Sequence, residues 1–510
     1  MGHYSEIERK FDVDDDIPLP DLRGVDAVAT VTDPAETALE ATYFDTSDLR
    51  LATHHVTLRR RTGGADEGWH LKLPAGGEER TEIRLPLDRA TRSVPKALVK
   101  EIRGLTRGRE LIPVAILRTI RLERRLVDAE GNDLAIVADD TVHAERLGRS
   151  RNNGTAGSAG WREVEVELDN GDRPLLDAVS AALESVGFTR SASGSKLQRT
   201  LGDLVPGKAV SHGLTRKSTA GEVARVHLRQ QVEELVARDR GARADTPDAV
   251  HKMRVATRRL RSALSTYRPL LDRTRTDPLR DELRWLADAL GEPRDAEVMW
   301  ARLRELAESQ PGDLLLGPVL RRIDLDMGQR HRAAHGRLLE TLDDERYRRL
   351  LVALDELVAE PPFTGVAQRR AHRALPRLVA RAAARVDRAA RAARAAPTAE
   401  ARRQRLHEVR KAAKRARYGA ESVAAVFGKP ATRLAKRMEH LQEVLGEHQD
   451  SVVSRTVLRA LGVTAHLAGE NGFSFGLLYG IEQCRGEAAQ RAYQSALRRA
   501  STKRVRRWTR

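Results

Sequence analysis

Apolar and polar residues alternate in short stretches through the first 200 residues, the period expected of strands with two unlike faces. In Ser5–Phe11, Glu6, Glu8 and Lys10 fall on one face, and Ile7 and Phe11 on the other. Val56–Arg61, Trp69–Leu73, Thr81–Leu87, Val114–Glu123, Leu134–Asp140 and Arg162–Leu168 repeat the pattern. Gly63-Gly64, Gly76-Gly77, Gly131-Asn132 and the run 152–160 separate them as turns. Helical spacing interrupts the strands at Val94–Leu105 and Leu175–Val186. From about residue 218 the period changes. Apolar stripes at helical spacing run through Val223–Val236, Val250–Leu264, Leu279–Leu290 and Arg433–Leu445. The pattern predicts antiparallel hairpins closing into a barrel or sandwich, of which the charged inner faces favour an α+β N-terminal antiparallel β-barrel (1–201), then a linker (202–217) and an all-α duplicated helical bundle (218–510).

Duplication is read from two motifs that recur in order. His251-Lys252-Met253-Arg254 with Arg258-Arg259-Leu260-Arg261 returns 156 residues later as His407-Glu408-Val409-Arg410 with Lys414-Arg415-Ala416-Arg417. Leu290-Gly291-Glu292-Pro293-Arg294-Asp295 returns 155 residues later as Leu445-Gly446-Glu447-His448-Gln449-Asp450. Thr246-Pro247 reads as the cap and first-turn proline of the first basic helix.

Charge separates the two parts. Residues 1–210 hold 30 Lys and Arg against 36 Asp and Glu, net −6; residues 211–510 hold 60 against 37, net +23. A basic helical part attracts polyanions. Only 4% of residues are aromatic, which makes a poor stacking platform, so nucleic acid is a weaker expectation than a phosphate polymer. The sole cysteine, Cys484, allows no internal disulfide and fits a reducing cytoplasm. Neither a signal-peptide pattern nor a membrane-spanning apolar run is read, and the basic end Lys503–Trp508 reads as a frayed, solvated tail.

The inward charges of the strands suggest chemistry. Besides Glu6, Glu8 and Lys10, shared faces are expected for Arg59 with Arg61, His70 with Lys72, Arg80 with Glu82 and Arg84, and Glu163 with Glu165 and Glu167. Adjacent charges inside a barrel are costly unless they bind something. Carboxylates suit a hard divalent cation, and Arg and Lys suit phosphate. No Gly-x-x-x-x-Gly-Lys-Ser/Thr loop is present, so a P-loop mechanism is not indicated.

Glu6-x-Glu8-x-Lys10, Arg59 and Arg61, Lys72, Arg80-x-Glu82, Arg118 with Arg121, Asp140, Glu163-x-Glu165 and Ser195-Lys196 together resemble the CYTH domain of the triphosphate tunnel metalloenzymes. The resemblance implies hydrolysis of inorganic triphosphate or a related short polyphosphate with Mg²⁺ or Mn²⁺. It implies Glu6, Glu8, Lys10 and Lys72 as catalytic. Arg59, Arg61, Arg80, Glu82, Arg118, Arg121 and Lys196 would bind substrate. Glu6, Glu8, Asp140, Glu163, Glu165 and Glu167 would hold metal. His70 is read as structural. Ile120 departs from a charged position of the family, which implies fewer phosphate contacts there. The resemblance also admits adenylate cyclase or thiamine triphosphatase activity, and a tunnel that binds without catalysis.

In the bundle, His251, Arg254, Arg258 and Arg261 recur along one helix face, as do His407, Arg410, Lys414 and Arg417. With the Leu-Gly-x-x-x-Asp segments they resemble the CHAD domain. That resemblance implies inorganic polyphosphate as partner, held by those eight residues with Arg259, Lys411 and Arg415, and admits an association with polyphosphate granules. Lys414 and Gln449 stand where the first copy has Arg258 and Arg294, which implies weaker binding by the second copy. Oligomeric state is not legible.

Overall fold

The computed structural model describes residues 2–25, 27–76, 78–87, 93–147, 158–206 and 213–509. Turn residue Gly77, residues 152–157 of the glycine-rich run and linker residues 207–212 lie outside the described residues. The chain forms two compact units, Met1–Val210 and Ser211–Arg510.

The first unit is a closed antiparallel barrel. Its strands are β1 (Gly2–Val13), β2 (Ala35–Asp45), β3 (Thr57–Thr62), β4 (Gly68–Gly76), β5 (Glu79–Leu85), β6 (Ile112–Val127), β7 (Asp133–Arg146) and β8 (Ser158–Leu168). They pair in the order β1-β5-β4-β3-β2-β6-β7-β8. β1 closes the ring by pairing with β5 through Gly2–Ile7 and with β8 through Glu8–Val13. Both faces of the barrel wall are covered, which is why both carry buried residues. Outside, α1 (Lys96–Thr106) packs Leu98 and Ile102 on Leu58, Trp69, Leu71 and Ile83. α2 (Arg173–Ser185) packs Leu176, Val179 and Leu183 on Phe11, Val164 and Val166. Burial of these side chains contributes roughly 2 kcal/mol each. The alternate residues of the same strands therefore face inward. One end of the interior is apolar: Ala41, Tyr43, Leu117, Val142 and Ala144 meet Leu197 and Leu201 of α3 (Lys196–Leu201).

β2 is a strand that the period-two reading missed. Its inward residues near the closed end are the small Ala41 and the aromatic Tyr43, and Glu36 and Glu40 lie outside, so no strong apolar stripe marks it.

The second unit is all helical. Its longer helices are α4 (Ala220–Ala237), α5 (Ala249–Thr266), α6 (Arg273–Ala289), α7 (Gly291–Glu308), α8 (Val319–Asp343), α9 (Glu345–Ala359), α10 (Ala371–Arg394), α11 (Ala399–Glu421), α12 (Lys429–Leu467) and α13 (Phe473–Ala500). The basic helices of the two copies are α5 and α11, and they pack on each other. Val250, Met253, Leu260 and Leu264 are buried, as their spacing predicted. The second motif sits at the α6–α7 junction in the first copy but inside the continuous α12 in the second. Pro293, where the second copy has His448, supplies no N–H to the preceding turn and favours a new helix start.

Two sequence expectations change. α5 begins at Ala249 behind Asp248, whose φ is +65°, so Thr246-Pro247 is not its cap. The C-terminal end is folded rather than frayed. Trp508 packs tilted against Phe427 with ring centroids 5.1 Å apart, and Arg506 pairs with Asp387. No described helix is long and apolar enough to cross a membrane.

Candidate functional site

Charge converges on a cavity of about 60 Å³ inside the barrel. Glu6, Glu8 and Lys10 of β1 line it together, as their period-two spacing requires. Arg59 and Arg61 enter from β3, Lys72 from β4, Arg80 and Arg84 from β5, Arg121 from β6, and Glu165 and Glu167 from β8. Lys196 enters from α3, whose N-cap Ser195 accepts a hydrogen bond from the Gln198 backbone N–H at 3.1 Å. The Ser-Lys pair is thus a cap followed by the residue that it aims.

The two walls neutralise each other. Lys72 Nζ lies 2.5 Å from Glu6 Oε2 and 3.9 Å from Glu8 Oε2; Lys10 Nζ lies 3.3 Å from Glu8 and also pairs with Glu165. Burial alone would raise the Glu8 carboxyl, but Lys10 and Lys72 outweigh it and hold it at about 2. Burial alone would also raise Glu165, and Lys10, Lys196 and Arg121 hold it well below the usual carboxylate range. Burial disfavours the Lys196 ammonium, yet Asp140, Glu165 and Glu163, all within 2.9 Å, raise it far above an ordinary lysine. These groups stay ionised at neutral pH.

Two substrate-binding assignments, Arg118 and Glu82, and two metal assignments, Asp140 and Glu163, need correction by position. Arg118 points out of the barrel: its side chain is 59% exposed and pairs with Glu40 at 3.0 Å. Ile120 shares that outer face and is exposed, so its departure from the family costs the cavity no contact. The inward residue of β6 is Arg121, which grips both oxygens of Asp140 at 2.8 and 2.7 Å and reaches Glu165 at 3.0 Å. Glu82 is fully buried behind the wall, paired with His70 and Arg84. His70 Nδ1 faces Glu82 Oε1 and Nε2 faces the Asp66 carbonyl, both at 2.9 Å. Burial outweighs the Glu82 carboxylate and lowers the imidazole to about 4, so the ring is neutral at neutral pH. His70 is structural, as expected. Asp140 and Glu163 are buried behind the cavity, where they fix Arg121 and Lys196. Arg80 lines the cavity but also donates to the Gly194 carbonyl, beside the α3 cap.

Sequence reasoning left Thr57, Tyr43 and Asp66 out of the site and placed Arg84 on the inner face without a role, yet all four line it. Arg84 and Thr57 continue the period two of their strands. Tyr43 faces Arg59 only through strand pairing, which no spacing reveals.

Among the described residues, no three His, Cys, Asp or Glu side chains stand ready at metal-holding spacing. The donors nevertheless fit a hard cation: four glutamates and Asp66 line one cavity, and buried Glu6 Oε2 has no hydrogen-bond partner of good geometry.

In the bundle, α5 and α11 bring the two copies of the basic motif together. Arg254, Arg258, Arg410 and Lys414 feel one another's charge. Arg254 pairs with Asp295 at 2.7 Å and lies over Gly291, where a Cβ would come within 3.3 Å of its guanidinium. Arg410 lies over Gly446 in the same way, at 3.2 Å, with Asp450 near. The Leu-Gly-x-x-x-Asp motif thus seats an arginine in each copy. Among the described residues Arg258, Arg410 and Lys414 have no ion-pair partner. Burial first, then Arg258, Arg410 and Arg254, push Lys414 down to about 6. The wider stripe divides. Arg259 and Arg417 pair with Glu421, and Lys411 pairs with Glu408 at the surface. Arg261 and Arg415 face each other's charge and that of Arg284. His251 and His407 border the cluster, with burial and neighbouring cations lowering both.

Family models match in the same order: a CYTH domain over residues 5–201 and a CHAD domain over 226–459. An uncharacterized protein of Mycobacterium tuberculosis strain H37Rv is 38% identical over 514 residues, covering 98% of each chain. Among solved structures, PptA from Streptomyces chartreusis aligns with 55% of this chain and 100% of its own at 22% identity and TM-score 0.46. The CHAD domain from the plant Ricinus communis aligns with 56% of this chain and 94% of its own at 22% identity and TM-score 0.45. The chain belongs to the proteins that join an N-terminal CYTH domain to a CHAD domain.

Proposed function

We propose that the barrel hydrolyses inorganic triphosphate, or a related short polyphosphate, with Mg²⁺ or Mn²⁺, and that the bundle binds inorganic polyphosphate. The observation that carries the reading is the cavity in which Glu6, Glu8, Glu165 and Glu167 converge from β1 and β8 among eight Arg and Lys side chains. Such a charge set suits a ligand that brings both signs, a metal-bound triphosphate. Glu6, Glu8, Glu165 and Glu167 would hold the metal. A divalent cation there would offset charge on the phosphate oxygens. Arg59, Arg61, Lys72, Arg121 and Lys196 would bind and orient the phosphates. On binding, each wall exchanges a protein partner for a ligand partner, so little charge is stranded. The apolar residues around α3 close one end of the interior.

The reading is tested by phosphate release from inorganic, nucleoside and thiamine triphosphates with and without each metal. Metal-dependent release from inorganic triphosphate is expected. Arg121→Ala should lower kcat/KM about a hundredfold, as for loss of one preorganised donor. Arg118→Ala, on the outer face, should leave it within about twofold, the range of a surface change. Equal losses in both variants would sink the inward assignment of β6. Preference for an organic triphosphate would move the substrate to the alternative classes.

For the bundle, the supporting observation is the three half-buried cations without ion-pair partners. Because Lys414 sits near pH 6, it is neutral at pH 8 and charged at pH 5. A polyanion favours the charged form, so polyphosphate affinity should rise as pH falls from 8 to 6, approaching tenfold per pH unit for one proton taken up. Arg stays charged across this range, so Lys414→Arg should flatten the profile. Titration calorimetry in buffers of different ionisation enthalpy reads the proton directly. An unchanged slope in Lys414→Arg would exclude this lysine as the linked group.

A further inference from the structure

The duplication is not symmetric in its chemistry, and one cavity marks the difference. Beside the start of α11, a cavity of about 460 Å³ is lined by Arg402, Arg403, Leu406, His448, Arg455 and Gln490, among others. No acidic side chain is among its lining residues, although Arg403 pairs with exposed Glu400 at 2.9 Å. Arg403 and Arg455 add their charge to His448 and, with burial, depress its protonation. By the repeat offsets of 156 and 155, Arg402, Arg403, His448 and Arg455 correspond to Thr246, Pro247, Pro293 and Trp300. Four basic residues in the second copy therefore stand where the first has none.

The cavity is also in line with the groove. Arg403, His407, Arg410, Lys414 and Arg417 follow one another at steps of four, three, four and three along α11, which keeps them on one helix face. Five successive positions span 14 residues, about 21 Å at 1.5 Å per residue. A phosphate polymer lying on Lys414 and Arg410 thus meets His407 and then the cavity. In the other direction it meets Arg417, which already pairs with Glu421 and Glu439.

We infer that this cavity is a second phosphate-polymer subsite, taking the units of a long inorganic polyphosphate that run past the groove at the second-copy end. The inference rests on the polyphosphate reading of the bundle. It makes the track one-ended: the second copy extends it and the first does not. Lys414 and Gln449 weaken the second copy at the centre, and the cavity restores contacts farther out.

The test compares a short chain, which fits the central cluster alone, with a chain several times longer. Arg402→Thr, the first copy's residue, is combined with Arg403→Ala; both side chains are exposed, so the fold should hold. The charge-matched control is Arg321→Ala with Arg498→Ala, also exposed. In the full chain, by calorimetry at one salt concentration, the cavity variant should lose about tenfold or more in affinity for the long chain, as for two phosphate contacts. Its affinity for the short chain should match the control's. Equal losses for both lengths, or no loss beyond the control, would overturn the subsite while leaving the central groove intact. Failure of the unaltered protein to bind either length would overturn both readings.

Discussion

Glu8→Gln should abolish metal-dependent triphosphate hydrolysis while leaving the barrel closed. The substitution keeps the side chain's size and its place among inward β1 residues. It removes the one charge that Lys10, Lys72 and Arg80 all address. In the unliganded cavity that loss leaves Lys10 with Glu165, Lys72 with Glu6 and Arg80 with the Gly194 carbonyl, so each cation keeps a partner and folding should be spared. In the liganded cavity the same loss removes a charged donor to the metal. If the cation supplies most of the charge stabilisation, the cost is about 4 kcal/mol, close to a thousandfold in kcat. Glu6→Gln should act alike. The measurement is phosphate release at saturating metal, with circular dichroism as the fold check. Turnover retained by a folded Glu8→Gln at saturating Mg²⁺ would remove the hydrolase reading of the tunnel.

The limits of what the sequence shows lie in depth and phase rather than in the choice of face. Glu6, Glu8 and Lys10 share a face because any strand makes them do so, and Ile7 and Phe11 show which way is out. β6 offers no such guide. Arg118, Arg121, Glu123, Arg124 and Arg125 put charge on both faces, so alternation alone cannot say which set enters the cavity. Pairing decides it: Arg121 stands opposite Asp140, and Arg118 opposite outward Glu40. Asp140, Glu163 and Glu82 do turn inward with their strands. Their depth places them behind the cations that line the cavity, and depth follows from strand stagger, which period two does not encode.

The bundle teaches a related lesson. Spacing placed both basic stripes correctly on α5 and α11, and repetition marked Gly291 and Gly446 as special. That each glycine makes room for an arginine of its own copy requires the packing of another helix against the stripe. The α6–α7 break was hidden because the second copy runs through the same motif without one.

Arg254→Glu combined with Arg410→Glu should weaken long-chain polyphosphate binding about a thousandfold, against about thirtyfold for each alone, if each reversed contact costs about 2 kcal/mol. Arg254 borders the unpaired set of Arg258, Arg410 and Lys414, and Arg410 belongs to it, so one ligand would lose contacts to both copies. Each lost phosphate contact should also lower the salt dependence of binding by about one in slope. Triphosphate hydrolysis should hardly change, since these residues belong to the other unit. Arg348→Glu is a close control. Like Arg254, Arg348 pairs with a carboxylate, Glu345, and its reversal changes net charge equally. If the control weakens polyphosphate as much as Arg254→Glu does, attraction is a property of the whole basic surface. A cradle built from two copies of one motif predicts instead that position, and not net charge, decides affinity.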